Sequence, residues 1–490
     1  MEALRKRNIA LGILFSALAF LVMGYHPGIE DDCVYLSAVK ADLNPVLYPH
    51  DADFFRVQLQ ATMFDQWVAG FVQITHIPVA WTEFLWEFAS IVLILLGTWS
   101  IARTVFASQR ARWGAVAMMA AMLTLPVAGT ALFIADQHLH PRNLATALIL
   151  MAVASILSRR LWQAIPLLIL SFVLHPIMGL LGISFCVFLQ IALYEPVLVW
   201  LRSWRKAVAA GVPLGWIFEP PTPLWRKALA TRSYLFLTQW AWYEWLGAIA
   251  PLVLFWLLWR LAHKRGNEKM ARFAMAVFLY GIFQQVVAII ICSSPALVRL
   301  TPLQPMRYLH LIYCFLVLIG GGLLAEYVVK DRAWRWALFL VLANGGMFAS
   351  QRALFPNSPH LELPGVASSN PWLQAFAWIR VNTPVDAYFA MDPNYLAAQQ
   401  EDYHSFRALA ERSQLADALK DTAVVTQVPE LGPVWERQVA AQQGFAHFQL
   451  ADFERLKTEF GVNWVLVPNT QTANLACRWH NESLAVCQIP

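Results

Sequence analysis

The sequence predicts a polytopic α-helical membrane protein, with about eleven transmembrane helices followed by a C-terminal extracytoplasmic α/β domain. Three observations carry this reading. Of 490 residues, 58% are hydrophobic and only 14% charged, against roughly 25% charged in a soluble globular chain, so there is too little charge to solvate the surface. Basic residues gather in short clusters between apolar runs. After Ser350 the composition changes: nine Lys/Arg and 14 Asp/Glu fall in residues 351–490, with no apolar run long enough to span. The scarcity of charge excludes disorder, and six Cys are too sparse for a disulfide scaffold.

The basic clusters are Arg5 to Arg7; Arg103, Arg110 and Arg112; Arg159-Arg160; Arg202, Arg205 and Lys206; Lys264, Arg265, Lys269 and Arg272; and Lys330, Arg332 and Arg335. Short basic loops belong to the cytoplasm, which puts the N-terminus inside and an even number of crossings in every gap. Ile9 to Gly24 goes out as an uncleaved helix, since no small-residue cleavage site precedes Tyr25-His26-Pro27. Phe84 to Phe106 returns, Trp113 to Ala135 goes out and Leu144 to Leu157 returns. Leu161 to Leu201 holds two crossings bent at His175-Pro176. Leu246 to Leu261, Met270 to Cys292, Leu309 to Val329 and Trp334 to Ser350 supply four more. Parity then requires an outward crossing from Ala207 to Phe218, although that run is short. Residues 1–350 form the membrane domain, with a long first external loop (25–83), and residues 351–490 lie outside.

In this last part Pro371 to Val381 reads as a helix and Ala387 to Met391 as a strand. Phe453 to Phe460 is an amphipathic helix ended by Gly461, leading into a strand from Asn463 to Val467. Cys477 and Cys487 are spaced so that a hairpin brings them within disulfide reach. Cys186 and Cys314 sit in apolar helices as core residues, and Cys33 is a free thiol.

The first external loop is acidic, and Glu30-Asp31-Asp32 stand about six residues after the first helix. Adjacent carboxylates repel: either a cation sits among them or one is held protonated. The bland alternative is a solvated acidic turn. A second polar group on the same side runs from Asp136 to Arg142. His138 and His140 with Asp136 offer metal ligands, at a spacing that is not diagnostic. Arg142, at a helix start, offers two parallel donors to a phosphate or anchors at the headgroups. His175, Arg299 and Arg307 fall on the same side. Between Pro223 and Trp245, cations alternate with Trp and Tyr, as in an amphipathic helix at the headgroups; it reads as an aromatic belt, or as a lid over a lipid-linked substrate. The spans themselves read as almost free of ionisable residues.

On these residues the chain resembles the GT-C superfamily of integral-membrane glycosyltransferases. The similar features are the Glu30-Asp31-Asp32 motif after the first helix, the Asp136 to Arg142 loop after the third, about eleven spans and an external C-terminal domain. The segments Trp378 to Ala387 (WIRVNTPVDA) and Phe406 to Ser413 (FRALAERS) resemble the external domain of an uncharacterised bacterial branch. The resemblance implies a bacterial inner-membrane enzyme that moves a sugar from a polyprenyl-phosphate donor to an extracytoplasmic glycan, lipid or protein acceptor, with inversion. It assigns Asp31 or Asp32 as general base, and Glu30 and Asp136 as groups that orient the acceptor or, with Asp32, hold a divalent cation (Mg or Mn). It sets Arg142, with His140, Arg299 or Arg307, on the phosphate. No nucleotide-binding loop is present and no nucleic-acid role follows from the net charge. The rival readings are a transporter or flippase of lipid-linked substrates, and a non-catalytic assembly subunit.

Overall fold

The computed structural model describes residues 2–194, 218, 220–399, 403–471 and 475–490. Among these, six helices are long and apolar enough to cross a bilayer: Lys6–Met23, Val79–Val105, Pro176–Leu193, Trp242–Lys264, Glu268–Ser293 and Pro305–Val329. Pro141–Leu157 and Leu161–Leu174 are apolar but shorter. The protein is thus a helical membrane protein. The expected crossing from Ala207 lies outside the described residues up to residue 217.

In chain order the helices of the first part are α1 (Glu2–Met23), α2 (Tyr35–Leu43), α3 (Asp53–Leu59), α4 (Phe64–Thr75), α5 (Val79–Val105), α6 (Gln109–Ala121), α7 (Pro141–Leu157), α8 (Leu161–Leu174), α9 (Pro176–Leu193), α10 (Pro223–Ala230), α11 (Trp242–Lys264), α12 (Glu268–Ser293), α13 (Tyr308–Leu324) and α14 (Ala333–Leu354). The bend at His175 is a true helix break. Pro176 opens α9, and His175 caps it by accepting the Met178 N–H, the arrangement a proline at the first helical position favours.

Two expectations fail here. The stretch from Trp113 to Ala135 is not one helix: α6 stops at Ala121, and β1 (Pro126–Val127) pairs antiparallel with β2 (Leu132–Phe133). Pro126 has no N–H to continue a helix. The spans also hold ionisable residues. Glu83, expected in the loop, lies in the second turn of α5, and it and Glu87 are 4% and 1% exposed.

The C-terminal part adds α15 (Pro371–Asn382), α16 (Tyr395–Ala398), α17 (Phe406–Ala410), α18 (Lys420–Gln427), α19 (Gly432–Ala441) and α20 (Leu450–Phe460). Its five strands are β3 (Tyr388–Ala390), β4 (Ser413–Gln414), β5 (Trp464–Pro468), β6 (Ala476–His480) and β7 (Leu484–Gln488), in spatial order β4-β3-β5-β7-β6. β3 pairs parallel with β4 and β5, while β7 pairs antiparallel with β5 and β6. Alternation along each strand divides the core in two. Phe389, Trp464, Leu466 and Val486 pack with Phe376 and Ile379 of α15. Tyr388, Val465, Val467 and Ala485 pack with Phe453 and Leu456 of α20. Cys477 and Cys487 are cross-strand partners joined by a disulfide; Cys33, Cys186, Cys292 and Cys314 are buried free thiols.

This part is stitched to the first loop. Gly24 ends α1 with φ +83, and a Cβ there would lie 2.9 Å from the His360 carbonyl oxygen. The Tyr25 N–H donates to that oxygen at 3.0 Å, and the Glu362 N–H donates to the Tyr25 carbonyl at 2.9 Å. At Gly28 (φ +80) a Cβ would come within 2.6 Å of Leu409, and the Ser405 N–H donates to the Gly28 carbonyl at 2.8 Å. Only glycine permits both the turn and the close approach. Deeper in the contact, fully buried Arg407 donates to Asp51 of the loop at 2.8 Å and to both oxygens of Asp421 at 3.1 and 3.3 Å.

Candidate functional site

The acidic motif folds as a single 3-10 turn, Glu30–Cys33, so its three carboxylates radiate in different directions. Asp32 is turned inward: it is 1% exposed, and its Oδ2 accepts the Gly28 N–H at 2.8 Å. Burial first, and then the neighbouring Glu83 carboxylate, push its carboxyl well above the usual range. Glu30 pairs with Lys420 of α18. Asp31 opens on a cavity of about 350 Å³ that Cys33, His140, His175, Arg299, Arg307 and Lys420 also line. That volume is at the lower end for a ligand pocket.

Lys420 reaches Asp31 because Asp417 organises the start of α18. Asp417 Oδ1 accepts the N–H groups of Leu419 and Lys420 at 2.7 and 2.5 Å, the role of a capping carboxylate. Lys420 Nζ then donates to Asp31 Oδ1 at 3.3 Å and to Glu30. Burial works to raise the Asp31 carboxyl, but Lys420 foremost, followed by His140 and Arg142, holds it well below the usual carboxylate range.

On the other wall, His140 caps α7 by accepting the Arg142 N–H on Nδ1 at 2.9 Å. That nitrogen carries no proton, so a neutral ring has its proton on Nε2, which lies 3.4 Å from Asp31 Oδ2. Burial, and then Arg142, lower the His140 pKa and favour this neutral form. The Tyr35 ring packs edge-on at 4.9 Å from the His140 ring, and His175 lies 6.0 Å from it.

Arg142 does not present its fork to the cavity. Asp136 occupies it, accepting from Nη2 at 2.6 and 2.7 Å and from Nε at 3.1 Å. Asp136 is equally committed, and Arg142 holds its carboxyl well below the usual range against the opposing effect of burial. The pair therefore fixes the His140 loop and leaves Asp136 unavailable to an acceptor. His138 is 1% exposed with neither ring nitrogen hydrogen-bonded, and burial pushes it down to about 3.

The cations on the cavity wall are Lys420, Arg299 and Arg307. Arg299 lies over the Trp225 ring at 5.6 Å, and Arg307 Nε is buried without a hydrogen-bond partner. The aromatic stretch beside them is no continuous in-plane helix. Trp225 and Trp240 are 4% and 7% exposed, and Trp225 Nε1 donates to the Thr426 carbonyl. Tyr234 lines the cavity, and only Trp242 and Tyr243, at 76% and 61% exposed, fit a belt.

A metal does not fit this arrangement. Glu30 is paired with Lys420, Asp32 takes a backbone N–H beside Glu83, and Asp136 is locked to Arg142. Among the described residues no three His, Cys, Asp or Glu side chains are placed to hold an ion. Of the residues expected at the site, Asp31, His140, His175, Arg299 and Arg307 meet at the cavity, and Glu30 touches it through Lys420. Asp32, Asp136, His138 and Arg142 stand behind its wall. Lys420 and Tyr35 were not expected there, and Tyr234 is the residue of the aromatic stretch that the lid alternative placed at the site. The chain matches no family model and no curated protein.

Proposed function

We propose that the protein is a GT-C-like membrane glycosyltransferase that moves a sugar from a polyprenyl-phosphate donor to an extracytoplasmic acceptor with inversion. The observation that carries the reading is one partly exposed carboxylate, Asp31, facing three cations, Lys420, Arg299 and Arg307, across a single cavity. An acceptor hydroxyl attacks the anomeric carbon and gives its proton to Asp31. The bond from that carbon to the phosphate oxygen breaks, and the electron pair leaves with the phosphate. Preorganised cations stabilise the departing charge, and Arg307, with Nε unpartnered, is poised for that role. Lys420 exchanges Asp31 for the phosphate as the donor binds, which releases the carboxylate to act as base. Leu174, Ile177, Leu300 and Leu303 supply an apolar side for the first units of the prenyl chain.

The topology belongs to the same proposal: N-terminus in the cytoplasm of a bacterial inner membrane, eleven crossings, residues 351–490 as an extracytoplasmic α/β domain. Supporting it are the basic clusters and a five-stranded sheet covered on both faces. A third crossing is completed by non-helical chain from Met122 to Ala135, half of it buried in protein, as irregular backbone at membrane depth requires cover. The transporter reading draws on one observation, the carboxylates Glu83 and Glu87 buried in α5.

The test compares surface glycans of a parent strain, a deletion strain, and deletion strains expressing Asp31→Asn or Arg307→Gln at normal membrane levels. Loss of one glycan in the deletion strain and in both variants supports transfer. Full restoration by both variants, or surface glycans unchanged in the deletion strain, defeats it in favour of an assembly or transport role.

A further inference from the structure

We propose that a groove between α1, α5 and α6, at the end of these helices remote from Asp31, holds one acyl chain of an anionic membrane phospholipid. The groove has a volume of about 850 Å³ and is lined by Ile13, Val92, Leu96, Trp99, Trp113 and Val116, among others. Trp99 and Trp113 pack at 4.4 Å to form part of its wall. Gly12 opens it, since a Cβ there would meet nothing within 4 Å.

Its length identifies the occupant. At 1.5 Å per residue, the lining from Asn8 to Ser16 covers about 12 Å of α1, and that from Phe88 to Trp99 about 16 Å of α5. The hydrocarbon core is about 30 Å thick, so the groove has the depth of one leaflet. A partner's transmembrane helix would need the full thickness. The groove stops where Phe20 packs edge-on against Phe84 and Phe88 at 5.4 and 5.8 Å.

The remote end is polar and basic. Asn8 Oδ1 and Trp113 Nε1 are buried there without hydrogen-bond partners: one acceptor for a headgroup hydroxyl, one donor for an ester carbonyl. Exposed Arg7 precedes Asn8, and exposed Arg103 stands one turn beyond Trp99 on the same face of α5. Unpartnered polar atoms at the mouth of an apolar slot, ringed by cations, match a phosphodiester headgroup above a chain.

The full-length protein, extracted in mild detergent, is examined by native mass spectrometry with phosphatidylglycerol and phosphatidylcholine in competition. The expected result is one phosphatidylglycerol retained per chain, with retention about tenfold weaker in Gly12→Phe, which fills the slot, and with the preference for the anionic lipid lost in Arg103→Gln. Equal retention of the two lipids by the parent protein, no retained lipid, or undiminished retention by a folded Gly12→Phe overturns the proposal. So does a cross-link from Ile13→Cys to a second protein chain. The competition on the parent protein decides the matter should Gly12→Phe fail to fold.

Discussion

Lys420 Nζ lies 3.3 Å from Asp31 Oδ1, joining two residues 389 positions apart. The C-terminal part therefore supplies a wall of the cavity and sets the charge state of the carboxylate within it. Because Lys420 is the foremost influence holding the Asp31 carboxyl low against burial, Lys420→Met should raise it. A base must be deprotonated, so the acid limb of the pH–rate profile should move upward by about 1–3 units, and donor binding should weaken. An unmoved acid limb would show that Asp31 is not the titrating base.

Asp31 and Asp32 are neighbours with opposite surroundings, and their Asn variants should separate. Asp31→Asn removes the base and should lower transfer by about 10²–10⁴-fold, with only a modest loss of thermal stability, since the carboxylate that leaves Lys420 is partly exposed. Asp32→Asn keeps an acceptor for the Gly28 N–H and offers Glu83 a donor, so its activity should stay within a few-fold of the parent. Comparable losses in both variants would count against the assignment.

The contrast between these two residues shows what the sequence made legible. The acidic triplet and the break at His175-Pro176 depend on local chemistry, and both were visible as short patterns. Which carboxylate faces the cavity was not, because that depends on Gly28 being clamped against Leu409 and Ser405, far away in the chain. Arg142 looked like a phosphate fork because its partner Asp136, six residues away, had been given another task. Lys420 stood three residues after a capping Asp417, a readable helix start, but nothing local pointed it at Asp31. The strands of the C-terminal part were partly legible from apolar runs bounded by Pro and Gly. The two-residue strand Ser413–Gln414 was not, since it is too short to show a period.

Arg407, in the FRALAERS segment, is predicted to be structural. It is fully buried between Asp51 and Asp421, and Arg407→Met would leave two buried carboxylates unpaired. Removing one partner of such a network costs about 3–5 kcal/mol, so the variant should unfold at markedly lower denaturant and be poorly retained in membranes. Arg407→Lys, which keeps the charge but not the fork, should recover only part of the loss. Parent-like unfolding of Arg407→Met would remove the ion triad from the account of how the loop and C-terminal part are joined.

Glu362 makes the junction sensitive to pH. It accepts from His26 Nδ1 at 2.8 Å and His404 Nε2 at 3.1 Å, with both rings 0% exposed. Burial tends to raise the Glu362 carboxyl, but His404 and then His26 outweigh it and draw it from 4.5 down to about 2. A carboxyl depressed in the folded state contributes stability that is present above its unfolded value, and that contribution is lost as pH falls through the folded one. Glu362→Gln should therefore cost on the order of 3 kcal/mol near neutral pH. The gap between parent and variant should narrow between about pH 4.5 and about pH 2. Thermal unfolding of both proteins in lipid nanodiscs across that window tests this. A gap that is constant with pH would assign the cost to lost hydrogen bonding with the His26 and His404 rings, and not to the charge on Glu362.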